Sequence, residues 1–122
     1  MPAFSAPDQN GPLVTASVTI SNGTALSPAV DLTQYSLVGL VMPSGWTAAN
    51  LTFQGSVDNS NFFDLYDSGA EINLGAAAAS RYVLLNPAVF AGLRYLKVRS
   101  GTSAAPVNQG ADRAITLVLR GL

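Results

Sequence analysis

Four carboxylates, Asp58, Asp64, Asp67 and Glu71, fall in one stretch of the chain, and a pair of carboxyls is the least that acid and base chemistry on a glycosidic bond requires. Acids of this kind are also the usual residues of turns, where an Asp side chain accepts from backbone N–H groups just downstream, and the chain is short for an enclosed sugar cleft. No catalytic residue is assigned and no enzyme is expected. The segment Asp58-Asn59-Ser60-Asn61-Phe62-Phe63-Asp64 is rich in oxygen, yet the calcium-loop alternation of Asp or Asn followed by Gly fails at Phe62 and Phe63, so it reads as a hairpin turn and not a metal site. With no histidine and no cysteine in 122 residues, Ser-His and Cys-His nucleophiles, thiolate or imidazole metal sites and disulfides are excluded. The glycines are dispersed and no Gly-Lys-Ser or Gly-Lys-Thr occurs, so no phosphate cradle and no cofactor are expected.

Binding chemistry has more candidates. Arg94, Lys97 and Arg99 interleave with Tyr95, but a net charge of -1 and the lack of other basic clusters argue against nucleic acid. Trp46, Phe62 and Tyr66 form a candidate sugar platform for surface glycan; the competing reading packs Trp46 at one end of a core and turns Phe62 or Phe63 inward by alternation. Charge is unevenly placed: residues 1 to 80 carry six acids and no base, and residues 81 to 122 carry six bases and one acid, so the halves sum to -6 and +5. Either strands from the two halves interleave and the charges pair or scatter, or the charges mediate self-association. In the second reading Tyr95, Lys97 and Arg99 share a strand face, Asp58, Asp64 and Asp67 cluster elsewhere, and Arg99→Glu or Lys97→Glu would weaken a homo-oligomer.

These residues need a scaffold, and the pattern is that of many short strands. Leu13 to Ile20 alternates, with Val14, Ala16, Val18 and Ile20 on one side, and Asn22-Gly23 turns the chain. Leu37 to Met42 is apolar on both faces and stops at Pro43-Ser44-Gly45, which describes a central strand covered on both sides. Leu51 to Asp58 predicts Leu51, Phe53, Gly55 and Val57 inward and Thr52, Gln54, Ser56 and Asp58 outward, followed by a hairpin into Phe62 to Tyr66. Further strands are predicted over 70–74, 81–85, 93–99 and 114–120. Asn86-Pro87 through Gly92 reads as a single helical turn, and the run Ala76 to Ala79 as a loop or turn.

The fold expected is all-β, a two-sheet antiparallel sandwich resembling a jelly roll, as one domain over 13–122, the alternative being a simple meander barrel. Residues 1–12, with three prolines and small polar residues, are expected to form an extended arm whose Phe4 contacts a partner, the competing reading being a plain tail. No basic segment leads an apolar run and no apolar stretch approaches the length of about 20 residues that a membrane helix needs, so synthesis in the cytoplasm and no membrane are expected.

The stretches Leu37 to Asp58, Leu93 to Thr102 and Pro106 to Gln109 resemble small proteins encoded in the structural modules of tailed phages and prophages, a likeness of pattern over about residues 30 to 120. It implies a virion component, either a capsid decoration (cement) protein or the base of a head fibre, whose partners are the major capsid protein or other virion proteins. The turn Phe53-Gln54-Gly55-Ser56-x-Asp58 also resembles discoidin-like sugar-binding jelly rolls, which implies a carbohydrate-binding module for host attachment as the alternative function. Low charge and abundant small residues suit a chain that buries surface against copies of itself or a shell.

Overall fold

The structure, a computed structural model, describes residues 11–121. Its strands in chain order are β1 (Leu13–Ile20), β2 (Val30–Asp31), β3 (Tyr35–Val41), β4 (Ala49–Ser56), β5 (Phe63–Asp64), β6 (Tyr66–Asp67), β7 (Ala70–Glu71), β8 (Ala76–Ala77), β9 (Tyr82–Leu84), β10 (Tyr95–Ser100) and β11 (Arg113–Gly121). One sheet runs β1-β11-β3-β9, the other β2-β10-β4-β5, and every pairing is antiparallel. Numbering only the strands on these two paths from first to last, the sheets read 1-8-3-6 and 2-7-4-5, so each hairpin-like pair is split by a later strand: this is the double Greek key of a jelly roll.

That connectivity explains the charge asymmetry. β10 and β11, which carry Lys97, Arg99, Arg113 and Arg120, are inserted between strands of the acidic half in both sheets. The basic half is therefore threaded through the acidic half.

The core lies between the sheets. Alternation places Val18 and Ile20 of β1, Leu51 and Phe53 of β4, Leu96 and Val98 of β10, and Ile115 and Leu117 of β11 inside, all buried. A register shift between Val118 and Leu119 lets three consecutive residues, Leu117 to Leu119, be buried where strict alternation would expose one. Phe90 closes the core edge-on to Phe53, with ring centroids 5.2 Å apart at 79°. It is carried by the 3-10 turn Pro87–Phe90, whose Asn86 cap accepts from the Ala88 N–H, as the Asn-Pro signature predicts. Among the described residues, no helix is long and apolar enough to cross a membrane.

Several strand readings need correction. β4 is buried on both faces: Thr52 and Ser56 are as buried as Leu51 and Phe53, while Val57 lies past the strand end and is 66% exposed. β3 is an inner strand, but Val38 and Val41 on it are only half-buried, so it is less covered than a wholly apolar run suggests. Over 70–74 only Ala70 and Glu71 form a strand, and the alanine run contributes β8, paired with the start of β4. Neither Phe62 nor Phe63 enters the core, because β5 is a two-residue edge strand. Phe4 and most of the arm over 1–12 lie outside the described residues.

Candidate interaction surface

The outer face of the β2-β10-β4-β5 sheet gathers most of the residues singled out above. By the two-residue period Tyr95, Lys97 and Arg99 share this face, opposite Ser56, Gln54 and Thr52 of β4. The chain between β5 and β8 folds over its far end and covers Arg99, which is 6% exposed. Arg99 donates from Nη1 to Asp64 Oδ1 at 2.7 Å, from Nη2 to Glu71 Oε2 at 2.8 Å and from Nε to Thr52 Oγ1 at 2.9 Å. Thr52 in turn donates to the Gly101 carbonyl at 2.7 Å, and the Ser103 N–H donates to Glu71 Oε2 at 3.1 Å. A buried guanidinium is tolerable only when its fork is saturated in this way.

Arg99 and Asp64 are therefore partners within one chain and not members of separate patches, which corrects the placing of Arg99 and Asp64 on complementary exposed surfaces. Lys97 stays at the surface, its Nζ 4.3 Å from the centroid of the Phe62 ring. Asp67, on the exposed β6–β7 hairpin, accepts from Ser68 Oγ at 3.2 Å. Asp58 is committed to its own turn: Oδ1 accepts from the Ser60 and Asn61 N–H groups, each at 2.9 Å, and Oδ2 from Asn61 Nδ2 at 2.8 Å. Asn59 within that turn has a φ of 61°, a left-handed conformation that Asn tolerates.

Hydrogen bonds from Asn61 and Ser60 hold the Asp58 carboxyl well below the usual carboxylate range. The Arg99 guanidinium lowers the pKa of the Asp64 carboxyl, outweighing the opposing effect of its burial. A carboxyl depressed in the folded state adds stability that is complete above its unfolded pKa of about 3.9 and is lost as pH falls through the folded value. Thermal stability is thus expected to be flat from neutral pH to about 5 and to fall below about 4. The Asp64 share is at most about 1 kcal/mol, since its side chain is 36% exposed and screened. Melting curves between pH 6 and 2 test this: Asp64→Asn should flatten the acid limb, and an unchanged limb would remove Asp64 from it.

The sugar platform is not assembled. Trp46 belongs to the core cluster at 8% exposure, Phe62 lies half-buried beside Lys97, and Tyr66 stands alone on an exposed hairpin at 60%. The core reading of Trp46 holds, because Pro43-Ser44-Gly45 turns the chain back over the end of the sandwich.

Sequence reasoning missed an apolar recess of about 460 Å³ beside β5, bordered by Gly55, Val57, Phe63, Leu65 and Leu93. Gly55 makes it compact: a Cβ there would lie 2.7 Å from Leu65 Cδ2 and 3.0 Å from Leu93 Cδ2. The exposed rims, Val57 at 66% and Phe63 at 70%, sit where alternation placed an inward residue, so the strand period concealed them.

No family model matches the chain, and no curated protein sequence matches it. Among solved structures it is similar to the SPBc2 prophage-derived protein YomS, with a TM-score of 0.53 over 88% of this chain and 93% of that one, at 11% identity. At that identity the likeness is one of fold.

Proposed function

We propose that this chain is a non-enzymatic structural protein of a bacteriophage particle, made in the bacterial cytoplasm and carried on the capsid exterior as a decoration or cement subunit or as the base of a head fibre. It works through contacts with the shell and with copies of itself. The observation that carries this reading is the match in fold to a prophage-derived protein over nearly the whole of both chains. The disposition of polar groups supports it. Arg99, Asp64, Glu71, Asp58 and Gln109 are each engaged in bonds that hold the fold. Several large apolar or aromatic side chains face outward instead, among them Val57, Phe63, Tyr66, Tyr82 and Leu84.

Quantitative mass spectrometry of purified particles tests the reading. Copies in near parity with the major capsid protein are expected for a decoration subunit, and a small fraction of that number for a fibre base. Complete absence from particles would overturn it, and a glycan array would then test the carbohydrate-binding alternative.

A further inference from the structure

Most edges of the two sheets are protected by brevity. β2, β5 and β8 hold two residues each and β9 three, and β2 and β5 also carry Asp31 and Asp64. Short strands and charges are the usual devices that stop one sheet edge from pairing with another. β1 has neither. It runs for eight residues as the outer strand of its sheet, in regular register with β11, without charge or proline, and the chain is uncharged from Gln9 to Val30. Alternate residues along it turn their N–H and C=O groups away from β11, and among the described residues no strand pairs with that side.

We propose that β1 pairs antiparallel with β1 of a second copy, about a two-fold axis through Ser17, joining the two four-stranded sheets into one of eight strands. The occupant follows from the strand's own pattern. Residues opposed across an antiparallel ladder share a sheet face, so the axis must pass through a residue and not between two; otherwise core-facing side chains would oppose solvent-facing ones. With Ser17 on the axis seven residues of each strand, 14 to 20, overlap. An axis through Ala16 overlaps as many but trades the buried Ile20 for the exposed Leu13, so Ser17 is the register in which like best meets like. Val14 faces the partner's Ile20 and Ala16 the partner's Val18 on the inner face, while Thr15 faces the partner's Thr19 and Ser17 the partner's Ser17 on the outer face. No charge on either strand opposes a like charge. The contact is isologous and closes at two copies, and the three-residue β9 on the opposite edge gives no template for further growth.

This inference rests on the self-association part of the reading above and not on the particle, and sedimentation equilibrium of the purified full-length chain separates the two. The wild type is expected to sediment as a dimer at micromolar concentration. Ser17→Lys and Ser17→Asp each set two like charges face to face on the axis, and each should weaken the dimer by at least about tenfold. Because Ser17 is exposed, both variants should keep the wild-type circular dichroism spectrum. Mixing them should restore a dimer of one Lys and one Asp chain. A monomeric wild type, a Ser17→Lys chain that dimerises as tightly as wild type, or a mixture that stays monomeric would each overturn the proposal. A chain that dimerises in this way yet is absent from particles would leave it standing and remove the virion reading alone.

Discussion

Arg99→Glu is expected to leave the chain unfolded at 25 °C, and Arg99→Met to lower the melting temperature by about 12 °C. The Arg99 side chain is 7% exposed, and its guanidinium holds Asp64, Glu71 and Thr52 at once. Removing one partner from a buried ionic cluster costs about 3 to 5 kcal/mol, because the remaining charges stay where water cannot compensate them. Methionine keeps the stem's packing but strands Glu71 at 15% exposure; Asp64, at 36%, recovers some hydration. The lower figure, about 3 kcal/mol, is therefore expected, and a domain of this size loses roughly 4 °C per kcal/mol. Glutamate is worse, since it puts a third carboxylate among two and reverses every contact of the fork, which can consume the whole of a stability of about 5 to 15 kcal/mol. Thermal melts of Arg99→Met, alone and with Asp64→Asn and Glu71→Gln, test the mechanism. Neutralising both acids should return part of the lost stability. If the triple variant melts no higher than Arg99→Met, the cost lies in packing and not in stranded charge.

The same residue marks where the sequence is a good guide and where it is not. The two-residue period set Arg99 on one face with Tyr95 and Lys97, and the register bears out that geometry. It could not set exposure, because Arg99 is covered by residues 28 and 35 positions away, on strands of two residues each. A two-residue strand has no period to read, and β2 and β8 escaped notice for that reason. The long strands β1, β4, β10 and β11 were legible because a core forces alternation over enough positions to outweigh exceptions such as Thr52 and the Val118/Leu119 irregularity. The capped turn at Asn86-Pro87 was legible too, since its signal is local chemistry. The order in which strands pair was not, as the jelly roll places β10 and β11 among strands that precede them by most of the chain length. Trp46 was read from its loop context both as a platform and as the residue that closes one end of the sandwich, and its burial bears out the second.

That closure depends on Gln109, and its replacement is expected to be the second most damaging change. Gln109 is 1% exposed and uses its amide in full. Its Oε1 accepts from the Thr47 N–H at 2.8 Å and from Arg113 Nε at 3.2 Å, and its Nε2 donates to the Thr47 carbonyl at 3.0 Å and to Ser100 Oγ at 2.7 Å. One side chain thus joins the loop carrying Trp46 to the end of β10 and the start of β11, binding both sheets at one end. The backbone adds to the junction, because the Gln109 N–H donates to the Thr24 carbonyl and its own carbonyl accepts from the Gly23 N–H, both at 2.9 Å. Gln109→Leu preserves volume and removes all four side-chain bonds, leaving the Thr47 peptide groups and the Ser100 hydroxyl without partners. Each stranded buried group costs about 1 to 3 kcal/mol, and partial access of water to the half-buried Thr47 and Arg113 lowers the sum to about 2 to 3 kcal/mol. The Trp46 environment should respond as well, with fluorescence shifting to the red as the loop loosens, because indole emission follows its exposure to water. Ser100→Ala closes a double-mutant cycle: made in Gln109→Leu it should cost less than in the wild type, by the coupling of one buried hydrogen bond, about 1 kcal/mol. Additive losses with an unshifted Trp46 emission would mean that Gln109 fills space at this end and does not hold it together.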